Sequence, residues 1–292
     1  MQASKLQESV PSKAVGYLED MPWVEKTAGV VADALAPVAS AAEDAGVMDV
    51  LHGRWLGHAL HPVLSDLPIG LWTAAALFDV VEMDAPATLM SASGSAAAVA
   101  TAVTGLADWT VTHGRDRRLG LLHGLINATA LVVQLDSLYH RIRRRRGPAR
   151  GLGMAGWLLA LGAAYFGGEL VFGRGLMVDH NAWANGPERW TAVLPEAKLV
   201  EGKPQKVQLD GGHPILLYRE AGEVYAMEET CSHAGGPLAE GKVNRGVVTC
   251  PWHGSQFRLT DGSLRRGPAT FPQLRLETRI NSGQVEVRGR QG

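Results

Sequence analysis

Apolar positions fall in four long runs in the first part of the chain and in short alternating runs near its end. The long runs cover roughly residues 63–81, 87–111, 119–139 and 152–172. Each is close to the ~20 residues a helix needs to cross ~30 Å of hydrocarbon. Basic residues avoid them. The 60 residues from Trp55 to Gly114 hold no Lys or Arg, nor do the 22 from Leu119 to His140 or the 23 from Gly151 to Gly173. Water-facing helices rarely lack cations over such lengths, so the runs predict four transmembrane helices. The second and fourth are rich in small residues (Ser91, Gly94, Gly105; Gly153, Gly156, Gly167). Small residues let membrane helices approach closely, which predicts a tight bundle. Before the runs, 21–42 is amphipathic and is expected to be broken by Pro37, as an interfacial pair of helices or a flap over the bundle.

After about residue 187 charges recur every few residues. Short β-type runs at 207–209, 215–219, 224–227, 247–250, 274–280 and 285–287 are separated by turn signals such as Ala221-Gly222 and Asn244-Arg245-Gly246. The fold class expected is therefore α+β multidomain. A transmembrane four-helix bundle precedes a small antiparallel all-β domain. The boundaries expected are 1–50 for an N-terminal amphipathic segment, 51–180 for the membrane domain and 187–292 for the β domain.

The averages conceal this division. Mean hydropathy is −0.01 and net charge −1. The charge balance gives no sign of a nucleic-acid partner. Two cysteines exclude a disulfide-rich scaffold and any all-cysteine four-ligand cluster. No basic start, apolar stretch and small-residue cleavage site open the chain, so a cleaved secretory signal is not expected. Six arginines lie between Arg141 and Arg150, against Arg115, Arg117 and Arg118 at the other end of the third run. Basic loops stay cytoplasmic, which puts both termini on the opposite side.

Within the β domain stand Cys231-Ser-His233 and, sixteen residues on, Cys250-Pro-Trp-His253. Two sulfur and two imidazole donors suit a structural zinc ion or an iron–sulfur cluster. The tight C-x-H spacing favours the cluster. So do the Gly/Pro-rich turns Ala234-Gly-Gly-Pro237 and His253-Gly-Ser255, which leave backbone N–H groups free to face sulfur.

With Phe257 and Gly267-Pro268 downstream, residues 190–289 resemble the Rieske [2Fe–2S] family. The resemblance implies that Cys231 and Cys250 hold one iron, that His233 and His253 hold the other through ring nitrogens, and that the domain transfers single electrons. Bc-complex members carry a disulfide-forming cysteine beside each ligand loop and a Tyr that bonds a ligand sulfur. Gly236, Trp252 and Phe257 take those places here, which implies the lower potential of the oxygenase-type ferredoxins. Leu51 to Trp72, with His58, His61 and Asp66, resembles the DUF2231 family of predicted bacterial membrane proteins. That resemblance covers about 50–175 and brings no established activity.

In an up-and-down bundle, His61, His113, His123 and His180 fall at one end, with Asp66 and Asp108 deeper. Ionisable residues at membrane depth point to function. Haem b, a quinol pocket or a bound metal all remain compatible, with His61 or His113 paired to His123. The expected function is one-electron transfer between a quinol or haem site in the membrane domain and a redox partner protein, as an electron-transfer protein or a component of an oxidoreductase. The alternative is a sensor or transporter whose Rieske domain reports redox state. The expected location is the bacterial cell membrane, in contact with lipid. The cluster is placed outside the cytoplasm, with a cytoplasmic placement also open.

Overall fold

The computed structural model describes residues 10–209 and 212–289. Residues 1–9 of the N-terminal segment and 290–292 of the β domain lie outside the described residues. The chain divides into two compact units. One holds the described residues up to Val47 together with Leu60–Arg174; the other holds Met48–Ala59 together with Gly175 onward.

The first unit is helical. Helices α1 (Val10–Glu19) and α2 (Pro22–Asp44) precede the bundle; α3 (Val47–Leu51) starts at Val47 and otherwise belongs to the second unit. Helix α2 runs on through Pro37 rather than breaking there. A mid-helix proline removes one hydrogen bond. The buried flank of α2 outweighs it: Val24 and Ala28 pack with Trp109, Leu121 and Leu122. Charge fastens the same contact. Glu19, fully buried, is paired with Arg115 and lies 2.5 Å from Arg174, and Asp20 lies 3.2 Å from Arg118.

The bundle proper is α4 (Leu60–Val80), α5 (Asp84–Thr110), α6 (Gly114–Ile142) and α7 (Arg146–Gly168), which ends in a π-helical turn, Glu169–Gly173. All four are long and apolar enough to cross a membrane. Helix α4 also continues through its proline, Pro68. Of the six arginines near the α6–α7 turn, Arg141 is not a loop residue. It sits in the last turn of α6, 4% exposed, and grips Asp79 of α4 through both terminal nitrogens at 2.8 and 2.5 Å.

The bundle is a duplicated hairpin, with each residue of α6–α7 numbered 62 above its counterpart in α4–α5. His61 Nδ1 lies 3.0 Å from Thr101 O, and His123 Nδ1 lies 2.9 Å from Ala163 O. A Cβ on Gly105 would stand 2.6 Å from His61, and one on Gly167 3.1 Å from His123. Gly94 accommodates Trp72 as Gly156 accommodates Gln134. The two hairpin turns share a left-handed residue at matching positions, Glu82 (φ 62°) and Arg144 (φ 55°). Between hairpins, α5 packs on α6 and α4 on α7, the reciprocal contacts of an approximate two-fold axis along the bundle. Counterparts meet across that axis: Asp79 with Arg141, and Asp84 with Arg146 at 2.5 Å.

The second unit carries two antiparallel sheets. The larger has the order β1 (Thr191–Pro195), β10 (Gln284–Gly289), β9 (Arg275–Asn281), β4 (Glu223–Glu228), β3 (Pro214–Glu220), β2 (Gln205–Gln208). The smaller runs β5 (Lys242–Asn244), β6 (Val247–Thr249), β7 (Gln256–Arg258), β8 (Leu264–Arg266). Successive side chains on a strand point to opposite faces. Residues 215–218 of β3 are all buried because the strand has a core on each side. Leu216 and Tyr218 face the core of Met227, Val248, Phe257 and both cysteines, while Ile215 and Leu217 face Leu276, Val285 and Val287.

Candidate functional site: paired cysteines and histidines

Two loops of the second unit hold the chemistry, and they are near copies. In the first, between β4 and β5, Gly235 N–H donates to Cys231 O (2.9 Å) and Cys231 N–H to Gly236 O (2.9 Å). In the second, between β6 and β7, Gly254 N–H donates to Cys250 O (3.1 Å) and Cys250 N–H to Ser255 O (2.8 Å). Each loop turns at a glycine in the left-handed region four residues after its cysteine: Gly235 (φ 74°) and Gly254 (φ 77°). That backbone strains any residue with a Cβ.

The turns aim the backbone at sulfur. The N–H groups of His233 and Ala234 donate to the Cys231 sulfur, and those of Trp252 and His253 to the Cys250 sulfur. Donors of this kind stabilise thiolates and a negatively charged cluster. Both cysteines are buried, and their sulfurs are hydrogen-bonded to one another. That bond, from the Cys231 thiol, holds the Cys250 thiol down at about 6, helped by the Trp252 and His253 N–H groups; the same contact, with burial, pushes Cys231 up. The histidines face each other too, Nδ1 to Nδ1 at 3.2 Å with ring centres 4.9 Å apart. Burial, then the positive forms of His253, His52 and His180, holds His233 down at about 3.

The four donors are thus sorted into a sulfur pair and a nitrogen pair. Among the described residues, no three His, Cys, Asp or Glu side chains are placed to share one metal ion. A mononuclear tetrahedral zinc site needs such convergence. A two-iron cluster with one pair for each iron does not. The residues present therefore fit a [2Fe–2S] group. Gly236 fits it as well, since a Cβ there would lie 2.8 Å from the Cys250 sulfur.

The pattern of the sequence missed several supports. Gln273, 3% exposed, accepts Ser232 N–H (3.1 Å) and donates to Glu228 O (2.7 Å) and Thr230 O (2.6 Å), tying down the first ligand loop. Asp49 accepts Gly267 N–H (2.8 Å) and Arg54 (2.7 Å), so the 48–59 segment belongs to this unit, and His52, buried, arrives with it. His180 is here also, its N–H bonded to Ser232 O (3.1 Å), rather than with the membrane histidines. In the first unit the structure brings His61 and His123 together, ring centres 6.3 Å apart. His113, exposed at the start of α6, is not part of that pair.

Comparison with known proteins agrees with the geometry. The model of the Rieske [2Fe–2S] domain matches 189–278, and that of the predicted membrane protein family DUF2231 matches 57–180. Ferredoxin CarAc of Metapseudomonas resinovorans is 32% identical over 34% of this chain and 94% of its own length. The anthranilate 1,2-dioxygenase ferredoxin subunit of Burkholderia cepacia is 39% identical over 34% of this chain and 90% of its own. Among solved structures, a complex of oxygenase and ferredoxin in carbazole 1,9a-dioxygenase covers 35% of this chain and 95% of the matched one, at 31% identity and a TM-score of 0.33. The protein belongs to the Rieske [2Fe–2S] family through its C-terminal domain, which follows a DUF2231 membrane domain.

Proposed function

We propose that the protein is a membrane-anchored one-electron carrier, with Cys231, His233, Cys250 and His253 as the ligands of its [2Fe–2S] cluster. The observation that carries this is the sorting of four donors into like pairs, two buried sulfurs and two half-buried imidazoles, with backbone N–H groups on both sulfurs. When bound, the cluster supplies a site that accepts and releases a single electron. The chain's own part is to bury the sulfurs, keep His233 neutral as a nitrogen donor and hold His253 beside it. Relatives named as ferredoxin components of dioxygenases support a redox partner protein at one end of the transfer. The other end is assigned to a quinol or haem at His61 and His123, at the end of the bundle from which the chain runs on into the second unit.

The arginine-rich α6–α7 turn argues for a cytoplasmic turn and a cluster on the outer side of the cell membrane. Protease accessibility of the Rieske domain in oriented vesicles tests that placement.

The function is tested by reducing purified full-length protein with quinol, or with a ferredoxin reductase, while following the cluster by EPR. Reduction of a histidine-ligated [2Fe–2S] signal is expected. A loaded cluster that exchanges electrons with neither would overturn the reading and favour the sensor or transporter alternative.

A further inference from the structure

We propose that His61 and His123 are the two axial ligands of a b-type haem held on the two-fold axis between the duplicated hairpins. This deepens the electron-transfer reading above and rests on it for its role, though not for its chemistry.

The first argument is symmetry. Aligned at 62 residues, the hairpins share few identities: Leu60 and Leu122, His61 and His123, Pro86 and Pro148, Ala87 and Ala149, Gly94 and Gly156, and Gly105 and Gly167 among them. The histidine is the only ionisable residue kept at equivalent positions. Elsewhere the charged counterparts have become opposites, as in Asp79 and Arg141 or Asp84 and Arg146. A ligand on the axis is the kind of demand that both copies must meet in the same way.

The second argument is the state of the rings. Each Nδ1 lies within hydrogen-bond distance of a helix carbonyl, Thr101 O or Ala163 O, which can only accept. Each Nδ1 is therefore a protonated donor to its carbonyl, which leaves Nε2 as the nitrogen through which each ring would bind a metal. A histidine whose other nitrogen donates to a backbone carbonyl is oriented as metal-bound histidines are. The glycines make this possible. Gly105 and Gly167 stand one helical turn beyond those carbonyls, and a side chain at either would occupy the ring's place. The Asn127 side-chain amide lies 3.1 Å from His123 Nε2, in the place iron would take, and iron would displace it.

The third argument is distance and number. Metal–nitrogen bonds of about 2.0–2.1 Å, with about 1.1 Å from each nitrogen to its ring centre, place the centres of a collinear bis-imidazole pair about 6.2–6.4 Å apart. The observed separation is 6.3 Å, with the ring planes at 86°. No third His, Cys, Asp or Glu among the described residues is placed to complete a bare metal site. Two protein ligands are too few for zinc or copper, which prefer three or four. Haem iron brings four equatorial nitrogens of its own and lacks only the two axial ones.

The test is the haem content of the full-length protein, expressed with a haem precursor and purified in detergent. The pyridine haemochrome should give one haem per chain, low-spin, with the strongly anisotropic EPR signal of perpendicular imidazole planes. His61→Ala and His123→Ala should each drop the content to near zero while the Rieske signal persists, which reports folding. His61→Met should retain haem with a methionine–histidine spectrum. A wild-type protein with a full [2Fe–2S] complement and no haem overturns the proposal, as do alanine variants that keep the wild-type haem spectrum. If haem is absent yet quinol still reduces the cluster, the haem assignment falls and the electron-transfer reading stands. If haem is present but never exchanges electrons with the cluster, the reverse holds.

Discussion

Gln273 offers the sharpest test of how the ligand loops are held. Its side chain spends all of its principal hydrogen-bonding capacity on three backbone groups of the chain entering and leaving Cys231: Ser232 N–H, Glu228 O and Thr230 O. Both Gln273 and Ser232 are buried, so water cannot replace the lost bonds. Replacement by methionine keeps the volume and removes all three. At about 1 kcal/mol net for each buried bond, the loss is about 3 kcal/mol, more if Ser232 N–H stays unsatisfied. With a urea dependence of about 2 kcal/mol per molar for a domain of this size, the unfolding midpoint should fall by about 1.5 M. The assay is urea unfolding of the full-length protein in detergent, followed by the visible absorbance of the cluster. Gln273→Glu should do no better, because its carboxylate would face two carbonyl oxygens. A Gln273→Met variant with unchanged midpoint and full cluster occupancy would refute the claim that this side chain holds the loop.

Gly236→Ala places a Cβ 2.8 Å from the Cys250 sulfur, and the overpacking, about 1–3 kcal/mol, should appear as lower iron and sulfide content per chain. Phe257→Tyr adds a hydroxyl in the core that holds both cysteines, and a further hydrogen bond to sulfur should raise the reduction potential in a spectroscopic titration. Asp79→Ala leaves Arg141 charged and unpaired at 4% exposure, a loss of about 3–5 kcal/mol that should lower the thermal midpoint in detergent. The exchange Asp79→Arg with Arg141→Asp should recover most of it, because the two positions are equivalent across the axis. In metal-free protein His233 is held at about 3 while the unfolded chain titrates near 6.5, so the folded form gains no proton where the unfolded form does. Stability contributed by the neutral ring is complete above 6.5 and falls as the pH drops toward 3, a slope that His233→Asn should flatten in acid denaturation followed by circular dichroism.

Local patterns were legible in the sequence and long-range pairings were not. The four spans follow from runs without cations, and the structure extends each by a few residues because helices continue into the polar turns, where Asp84 and Arg146 pair. Six of the strands follow from short apolar alternation. β1 and the three-residue strands β5, β7 and β8 escape it. The two Cys/His pairs were legible because the Cys-x-His and Cys-x-x-His spacings are local. Gln273 was not, being 41 residues from Ser232, and neither was Asp49, 218 residues from Gly267. Pro37 misled in the other direction: it removes one hydrogen bond, but α2 runs on through it, held by the packing of Val24 and Ala28.

The duplication was present in the sequence, yet its signal lies in what each copy packs rather than in hydropathy. Gly105 and Gly167 look like ordinary small residues until each is seen to make room for a histidine. Two identical hairpins alone would place like charges against each other at the axis. At Asp79 and Arg141 this is avoided by divergence to opposite signs, giving a bidentate pair, and at Asp84 and Arg146 in the same way. Histidine is instead kept in both copies, each ring held at Nδ1 by a helix carbonyl, with the two ring centres 6.3 Å apart. The cluster loops repeat that logic on a smaller scale. Two copies of one turn present like donors to each other, sulfur to sulfur and nitrogen to nitrogen, and the backbone N–H groups around them supply the electrostatic support that single side chains would otherwise have to provide.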